Sequence, residues 1–112
     1  MRFSFRKCDR LLKRTEFLQL TQTGRKIQNA HFIVMFGVSR VNRSRLGITV
    51  TRKVGNAAKR NAVKRRAREF FRLNRQTLKG DWDINVIAKK EAGELSSPMF
   101  FGSLQNLFER IS

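Results

Sequence analysis

Apolar and polar side chains alternate along three short segments, and this period of two predicts three β-strands. The segments cover residues 31–38, 45–52 and 83–89. In each segment the larger apolar side chains share one face, which we expect to pack against helices. The members of that face are Phe32, Val34, Phe36 and Val38, then Leu46, Ile48 and Val50, then Ile84, Val86 and Ala88. The side chains on the opposite face are less apolar, so we expect that face to be partly open to solvent.

Three other segments have the apolar spacing and the end signals of helices. Residues 15–23 predict a short first helix with Thr15 as its N-cap. Residues 57–77 contain neither Gly nor Pro and predict a long helix. The last helix follows Ser97, which can be its N-cap, and has Pro98 in its first turn.

These elements give the order helix, two or three strands, helix, strand, helix. The order predicts an α+β fold, a small central sheet with three helices, arranged α-β-β-β-α-β-α when a third strand precedes the long helix. Residues 41–45 are polar and basic, and we interpret them as a hairpin loop between two strands. The strand–helix–strand unit over residues 46–88 predicts a parallel pair of strands, because parallel neighbours need a long crossover connection.

The composition predicts one folded domain over residues 1–112. The chain is 40% hydrophobic, which excludes a disordered basic tail. A single cysteine, Cys8, allows no internal disulfide, so we expect a reducing compartment, the cytoplasm. No apolar run is long enough to cross a bilayer, and no signal peptide is visible, so we expect no membrane partner.

Charge is the strongest signal of function. The chain has 25 Lys and Arg against 8 Asp and Glu, a net charge of +17, which predicts a polyanionic partner. Residues 52–75 contain ten of these basic residues and one acid, Glu69. Basic residues meet basic residues at i,i+4, as at Arg60 and Lys64, where a solvated helix would pair opposite charges. A partner lined with phosphates would compensate this repulsion.

The residue types on this helix favour RNA over DNA. A helix that reads the major groove of DNA usually carries Gln, Asn or Ser among its Arg residues, and here Asn61 stands alone. Recognition of the backbone and shape of a structured RNA fits this composition better than the reading of DNA bases. Gly55 precedes the helix and Asn56 can cap it, so the helix N-terminus could also receive a phosphate.

The N-terminal residues 1–10 form a basic arm with two interpretations left open. The arm is either a flexible, frayed terminus or a segment that packs Phe3 and Phe5 and presents its charges to RNA.

Side chains for catalysis or metal binding are scarce. Asp81 and Asp83 flank Trp82 and could form a metal pair, but two carboxylates before a strand more often form a turn. His31 has no visible partner and fits an ordinary strand histidine. We therefore assign no catalytic residue and no metal ligand to this chain.

One ordered signature resembles the protein subunits of bacterial ribonuclease P. It reads Arg52-Lys53-Val54-Gly55-Asn56-Ala57, followed by Arg60-Asn61, Lys64-Arg65 and Arg68. The resemblance implies an α/β sandwich with a left-handed β-α-β crossover. It also implies a role in removing the 5′ leader from precursor tRNA.

The same resemblance implies how the work is divided between protein and RNA. The catalytic centre would be the RNA subunit, with Mg²⁺ held mainly by that RNA and the substrate and none held tightly by the protein. The partners would be the catalytic RNA and precursor tRNA, with no further protein required. The predicted RNA-binding residues are the signature positions and the other basic residues of that surface: Arg52, Lys53, Arg60, Asn61, Lys64, Arg65, Arg68 and Arg72.

The resemblance also implies a cleft for the single-stranded leader, between the first helix and the open sheet face. Its predicted residues are Phe17, Ile33, Met35, Thr49 and Thr51, of which the strand alternation already places the last four on one face. The chain departs from the family pattern at Ala62, where another basic residue is usual, and at Thr21 and Met35, where aromatic residues are common. For Ile33 and Met35, ordinary sheet packing stays open as an alternative.

Two other functions stay open from the residues alone. The first is a general module for structured RNA, such as a small ribosomal or RNA-chaperone protein, with no preference for a leader. The second is a nuclease that acts without RNA through Asp81, Asp83 or His31.

Overall fold

The helices and strands follow the predicted order. The computed structural model describes residues 10, 14–39 and 41–111. Its helices and strands are α1 (Arg14–Thr23), β1 (Arg25–Gln28), β2 (Phe32–Val38), β3 (Arg45–Val50), α2 (Ala57–Asn74), β4 (Trp82–Ala88) and α3 (Ser97–Phe108). Short 3-10 turns cover Arg52–Val54, Arg75–Thr77 and Lys90–Glu94. The predicted α+β class and element order are confirmed. Apart from Arg10, the predicted N-terminal arm lies outside the described residues.

The sheet has the strand order β1-β2-β4-β3. β4 pairs antiparallel with β2 and parallel with β3, so the predicted parallel pair around the long helix is confirmed. The predicted hairpin at residues 41–45 is wrong, because β4 lies between β2 and β3. Burial gives the reason: β4 is buried from Asp83 to Val86, as a central strand must be, whereas β3 is only half-buried from Ile48 to Val50.

The two sheet faces have different coverings. One face packs against α2 and α3 and forms the main core with the predicted apolar positions, among them Phe32, Val34, Phe36, Leu46, Ile84 and Val86. Val38, which the alternation predicts on this face, lies at the end of β2 and is exposed. On the other face Leu20 of α1 packs on Met35, in contact with the half-buried Phe17, Ile33 and Ile87. The result is three layers: α1, the sheet, and α2 with α3.

Several element ends differ from the predicted ones. Thr15 lies inside α1 rather than capping it, and Ser96 rather than Ser97 occupies the cap position of α3. α2 ends at Asn74 and continues as a 3-10 turn. β3 ends at Val50, so Thr51 caps the following turn instead of extending the strand. These shifts of one to three residues arise because fraying ends are set by local hydrogen bonds rather than by periodicity.

Arg45 joins α1 to the sheet. Its Nε and Nη2 donate to the two carboxylate oxygens of Asp83, each at 2.9 Å, and its Nη1 lies 2.5 Å from Glu16 Oε2. The hydrogen bond with Asp83 is the main cause that raises the pKa of Arg45 above its ordinary value. The predicted turn or metal pair is therefore wrong for Asp83, which is a buried strand residue in an ion pair. Asp81 is exposed, and its backbone oxygen accepts from the Ser39 amide.

Substitution by alanine should change the stability in opposite directions at two glycines. A Cβ at Gly24 would lie 2.5 Å from the Leu20 carbonyl oxygen and 2.9 Å from that of Phe36, whereas a Cβ at Gly102 would meet no heavy atom within 4 Å. We expect Gly102→Ala to stabilise the protein by about 0.5–1 kcal/mol, because glycine costs entropy inside a helix. Gly24→Ala should destabilise it by about 1–3 kcal/mol, through overpacking against backbone. Urea unfolding measures both, and equal effects would contradict the packing described.

The two carboxylates that pair with Arg45 should contribute unequally to the free energy of unfolding. Asp83→Asn should reduce the free energy of unfolding by about 2–3 kcal/mol, because it breaks a buried bidentate pair. Glu16→Gln changes a more accessible pair, and its expected cost is below about 1 kcal/mol. Urea unfolding at neutral pH compares the two variants. A larger loss for Glu16→Gln than for Asp83→Asn would show that the α1 contact, not the sheet contact, is the stronger.

Candidate nucleic-acid interface

The turn before α2 fixes where the long helix begins. Gly55 has a φ of +149°, a conformation that side chains rarely adopt, and a Cβ there would lie 2.6 Å from the Lys59 side chain. Asn56 then caps the helix, since its side-chain oxygen accepts from the Lys59 amide at 2.9 Å. The sequence Gly55-Asn56 therefore orients α2 relative to the end of β3.

α2 has one buried face and one basic face. Val63, Ala67, Phe70 and Phe71 are buried in the main core. Asn61 and Arg65 are exposed, and Arg60, Lys64 and Arg68 are half-buried. Arg52 and Lys53 are exposed on the 3-10 turn that leads into the helix.

Seven of the eight predicted RNA-binding side chains make no hydrogen bond or ion pair within the described part of the chain. We call these seven the α2 surface: Arg52, Lys53, Arg60, Asn61, Lys64, Arg65 and Arg68. Their charges are not balanced within the described residues, and the helix places them on and beside a single face.

Arg72 is the exception. Its Nε donates to Glu69 Oε2 at 3.1 Å, and a second contact joins Nη2 to Oε1. The hydrogen bond from Arg72 lowers the pKa of Glu69, and the negative charge of Glu69 balances the charge of Arg72. The run of unbalanced basic residues that the sequence predicts along this helix therefore ends at Arg68.

The remaining basic residues between 52 and 75 serve the fold. Lys59 Nζ contacts Glu94 Oε1 at 2.5 Å. Arg66 donates to the Leu95 carbonyl oxygen at 3.1 Å and stacks over the Phe100 ring. Arg75 lies over the Phe71 ring, 5.9 Å from its centroid. The structure thus separates the basic residues that support packing from those that face outward.

Arg10 adds a cation that the predicted site residues do not include. It forms a parallel bridge with Leu46 on β3, and its proximity contributes to lowering the pKa of Arg68, for which burial is the larger cause. Arg10 therefore lies at the sheet edge beside α2, where its charge is close to the like charge of Arg68.

A cleft opens on the other face of the sheet. It has a volume of about 520 Å³ and is lined by Arg14, Phe17 and Thr21 from α1 and by Thr49, Asn85 and Ile87 from β3 and β4. α1 packs mainly over β2 and β4, so the outer part of the sheet keeps this face partly open. We call this feature the α1 cleft.

The five predicted cleft residues do not all come together. Phe17 and Thr49 line the α1 cleft. Ile33 is half-buried beside them in the small cluster under α1. Met35 is only 8% exposed because Leu20, one turn after Phe17, covers it, so Met35 packs beneath α1. Thr51 is exposed beyond the end of β3 and is not among the lining residues.

Asn85 was missed by the sequence analysis. It is 6% exposed, lies on the same face of β4 as Asp83 and Ile87, and accepts a hydrogen bond at Oδ1 from Thr49 Oγ1 at 3.2 Å. The available signal was an amide at an alternate position within an apolar strand. Thr21 stands at a position where the resemblance implies an aromatic residue. Arg14 and Ile87 carried no comparable signal, because only the packing of α1 brings them to the cleft.

The α2 surface and the α1 cleft meet at β3. Leu46 and Ile48 pack toward α2, whereas Thr49 faces the cleft, so one edge strand separates the two features. This arrangement can hold two segments of a nucleic acid at once, one by its phosphates and one by unstacked bases.

Residues 14–39 and 41–111 were also compared with the requirements of a membrane span and of a metal site. No helix there is long and apolar enough to cross a membrane. No group of three or more His, Cys, Asp or Glu side chains lies together in a way that could hold a metal ion. His31 contacts α3, with its Nδ1 2.9 Å from Ser103 Oγ.

Comparison with known proteins identifies the family. The family described as Ribonuclease P matches residues 5–112. The Ribonuclease P protein component of Desulfatibacillum aliphaticivorans is 51% identical over 110 residues, which are 98% of this chain and 93% of the relative. That of Thermotoga maritima is 38% identical over 112 residues and covers 96% of each chain.

Solved structures agree with this match in fold. The RNase P protein of Staphylococcus aureus superposes with a TM-score of 0.86 at 30% identity, over 93% of this chain and 95% of that one. The RNase P protein of Thermotoga maritima superposes with a TM-score of 0.85 at 38% identity, over 92% and 97%. The family match spans nearly the whole sequence, and the sequence relatives and the folds agree with it, so this chain belongs to the ribonuclease P protein family.

Proposed function

We propose that the α2 surface binds the catalytic RNA of ribonuclease P while the α1 cleft holds the 5′ leader of precursor tRNA. Membership in the family makes the chain part of an endoribonuclease complex for tRNA 5′ processing, with ribonuclease P RNA as its partner. We propose this binding mode for the chain. We also propose that it acts in the cytoplasm and that it requires no other protein.

The observation that carries the proposal is the set of unbalanced side chains on the α2 surface. Packing and ion pairs account for Lys59, Arg66, Arg72 and Arg75, but they leave the other six basic residues of the segment without an acceptor in the described part of the protein. Phosphate contacts with these six would release counterions from the RNA, which supplies affinity independent of base sequence. Such contacts position the protein on the RNA rather than read it.

The α1 cleft suits a single strand. Phe17 offers an aromatic face on which an unstacked base can rest, worth about 1–3 kcal/mol per base. Arg14 lies at the same cleft and can contact the backbone phosphate. An open groove with one aromatic ring, one cation and polar side chains fits a leader better than a duplex.

Catalysis is assigned to the RNA subunit. Mg²⁺ favours oxygen ligands and keeps several waters, so phosphates of the RNA and substrate suit it. The described residues offer no group of carboxylates for that ion. The protein's contribution is then to bind and position substrate and catalytic RNA, which raises affinity and lowers the Mg²⁺ concentration required.

Cleavage of a leader-bearing precursor tRNA tests this function. At low Mg²⁺, we expect a bacterial ribonuclease P RNA to release the 5′ leader only when this protein is added, and the protein alone to be inactive. Arg65→Ala with Arg68→Ala should reduce stimulation and lower the salt slope of RNA binding by about 0.7–0.9 for each phosphate that the variant no longer neutralises.

The matched control is Lys79→Ala with Arg110→Ala, which also removes two positive charges, from exposed positions outside the α2 surface. Equal losses in the control and in the variant of Arg65 and Arg68 would show that the effect depends only on net charge. RNA binding without stimulation would favour a general RNA-binding module, and cleavage by the protein alone would point to a protein-only nuclease.

Anions should stabilise the free protein. With a charge of +17 the folded state repels itself, and an anion that binds the α2 surface favours that state. Inorganic phosphate at 100 times its Kd should add about 2.7 kcal/mol, or roughly 10 °C in melting temperature. Chloride at equal ionic strength is the control. A melting temperature that responds equally to both salts would contradict site binding.

A further inference from the structure

Asn85 places a polar side chain on the floor of the α1 cleft. The residue is only 6% exposed, yet it lines the cleft together with Thr49 and Ile87. In the sheet register it lies between Met35 of β2 and Gly47 of β3. Gly47 has no side chain to meet the carboxamide, so the backbone pairing provides no partner on that side.

The carboxamide has only one hydrogen bond within the described residues. Thr49 Oγ1 donates to Asn85 Oδ1 at 3.2 Å, and no acceptor contacts Nδ2. Nδ2 is not fully enclosed by protein. In the described part of the chain, the only fully enclosed side-chain polar atom without a hydrogen-bond partner is Arg60 Nε. Nδ2 therefore opens into the cleft, where an amide donor gains from an acceptor that a ligand brings.

The donor has an acceptor next to it. The Oδ1 oxygen has a second lone pair beyond the one used by Thr49, so the carboxamide has both an N–H and a carbonyl lone pair left to offer a ligand. Asn recognises adenine through such a pair, donating to a ring nitrogen and accepting from the exocyclic amine. Single-stranded RNA exposes these base edges.

We propose that Asn85 reads one unstacked leader base and favours adenine at that position. This inference rests on the proposed function, since it needs the leader to lie in the α1 cleft. Phe17 provides the aromatic face for the base, and Asn85 provides the edge contact. Thr49 is a positioning residue, because its hydroxyl donates to Oδ1 and holds the carboxamide with Nδ2 toward the cleft.

The experiment uses the reconstituted holoenzyme and precursor tRNAs with randomised leaders in internal competition. Relative kcat/KM is then obtained for each base at each leader position. For the unaltered protein we expect adenine to be favoured at one position by about tenfold, the size of a good bidentate contact. Asn85→Leu should reduce that preference to within about twofold, and preferences at other positions should persist.

Two further variants distinguish the loss of base recognition from a general effect of the substitution on the fold. Thr49→Val keeps the shape but releases the carboxamide, so it should weaken the same preference partially. Asn106→Leu makes the same substitution at an exposed position of α3 and should leave the preference intact. Binding to the catalytic RNA without substrate reports on the α2 surface and should be equal in all the proteins.

The outcomes distinguish this inference from the proposed function. An adenine preference that survives Asn85→Leu, or a preference that depends on Asn85 but favours another base, would overturn the inference alone. A uniform loss of activity that does not depend on base would assign Asn85 to folding and also overturn it. No effect of the leader on the unaltered holoenzyme would overturn the proposed leader binding, and the inference with it.

Discussion

The pairing of β4 with both β2 and β3 is the constraint on which the rest of the structure depends. Because β4 takes the central position, β3 moves to the sheet edge and α2 must cross from one parallel strand to the other. α2 then covers one face of the sheet beside β3, while α1 covers the middle of the other face. The α2 surface and the α1 cleft consequently lie on opposite sides of one strand.

Four acidic residues form ion pairs away from the α2 surface and leave that surface basic. Of the eight in the chain, Glu16 and Asp83 hold Arg45, Glu69 holds Arg72, and Glu94 holds Lys59. The Arg45 pairs connect α1 with β3 and β4, so these carboxylates help hold in place the helix that brings Arg14 and Phe17 to the cleft. The remaining positive charge is a cost to the free protein that an RNA partner offsets.

The α1 cleft combines general and specific features. Phe17 and Arg14 can contact any nucleotide, since every base has an aromatic face and every nucleotide a phosphate. Asn85 differs, because a buried carboxamide with an open donor distinguishes one base edge from another. A protein with broad substrates can thus carry a preference at a single position without losing affinity for the rest.

Periodicity and motifs in the sequence by themselves determined the three helices, the apolar strand faces, the parallel crossover unit and the signature that begins at Arg52. Spacing reports which side chains share a face, because each helix or strand has a fixed repeat. Spacing does not report which strands are neighbours or which helix covers a given patch. Only the tertiary structure decided that β4 separates β2 from β3, that Leu20 covers Met35, and that Arg72 is balanced by Glu69. It also decided that Asn85 faces a cleft, since that cleft exists only where α1 packs over the sheet.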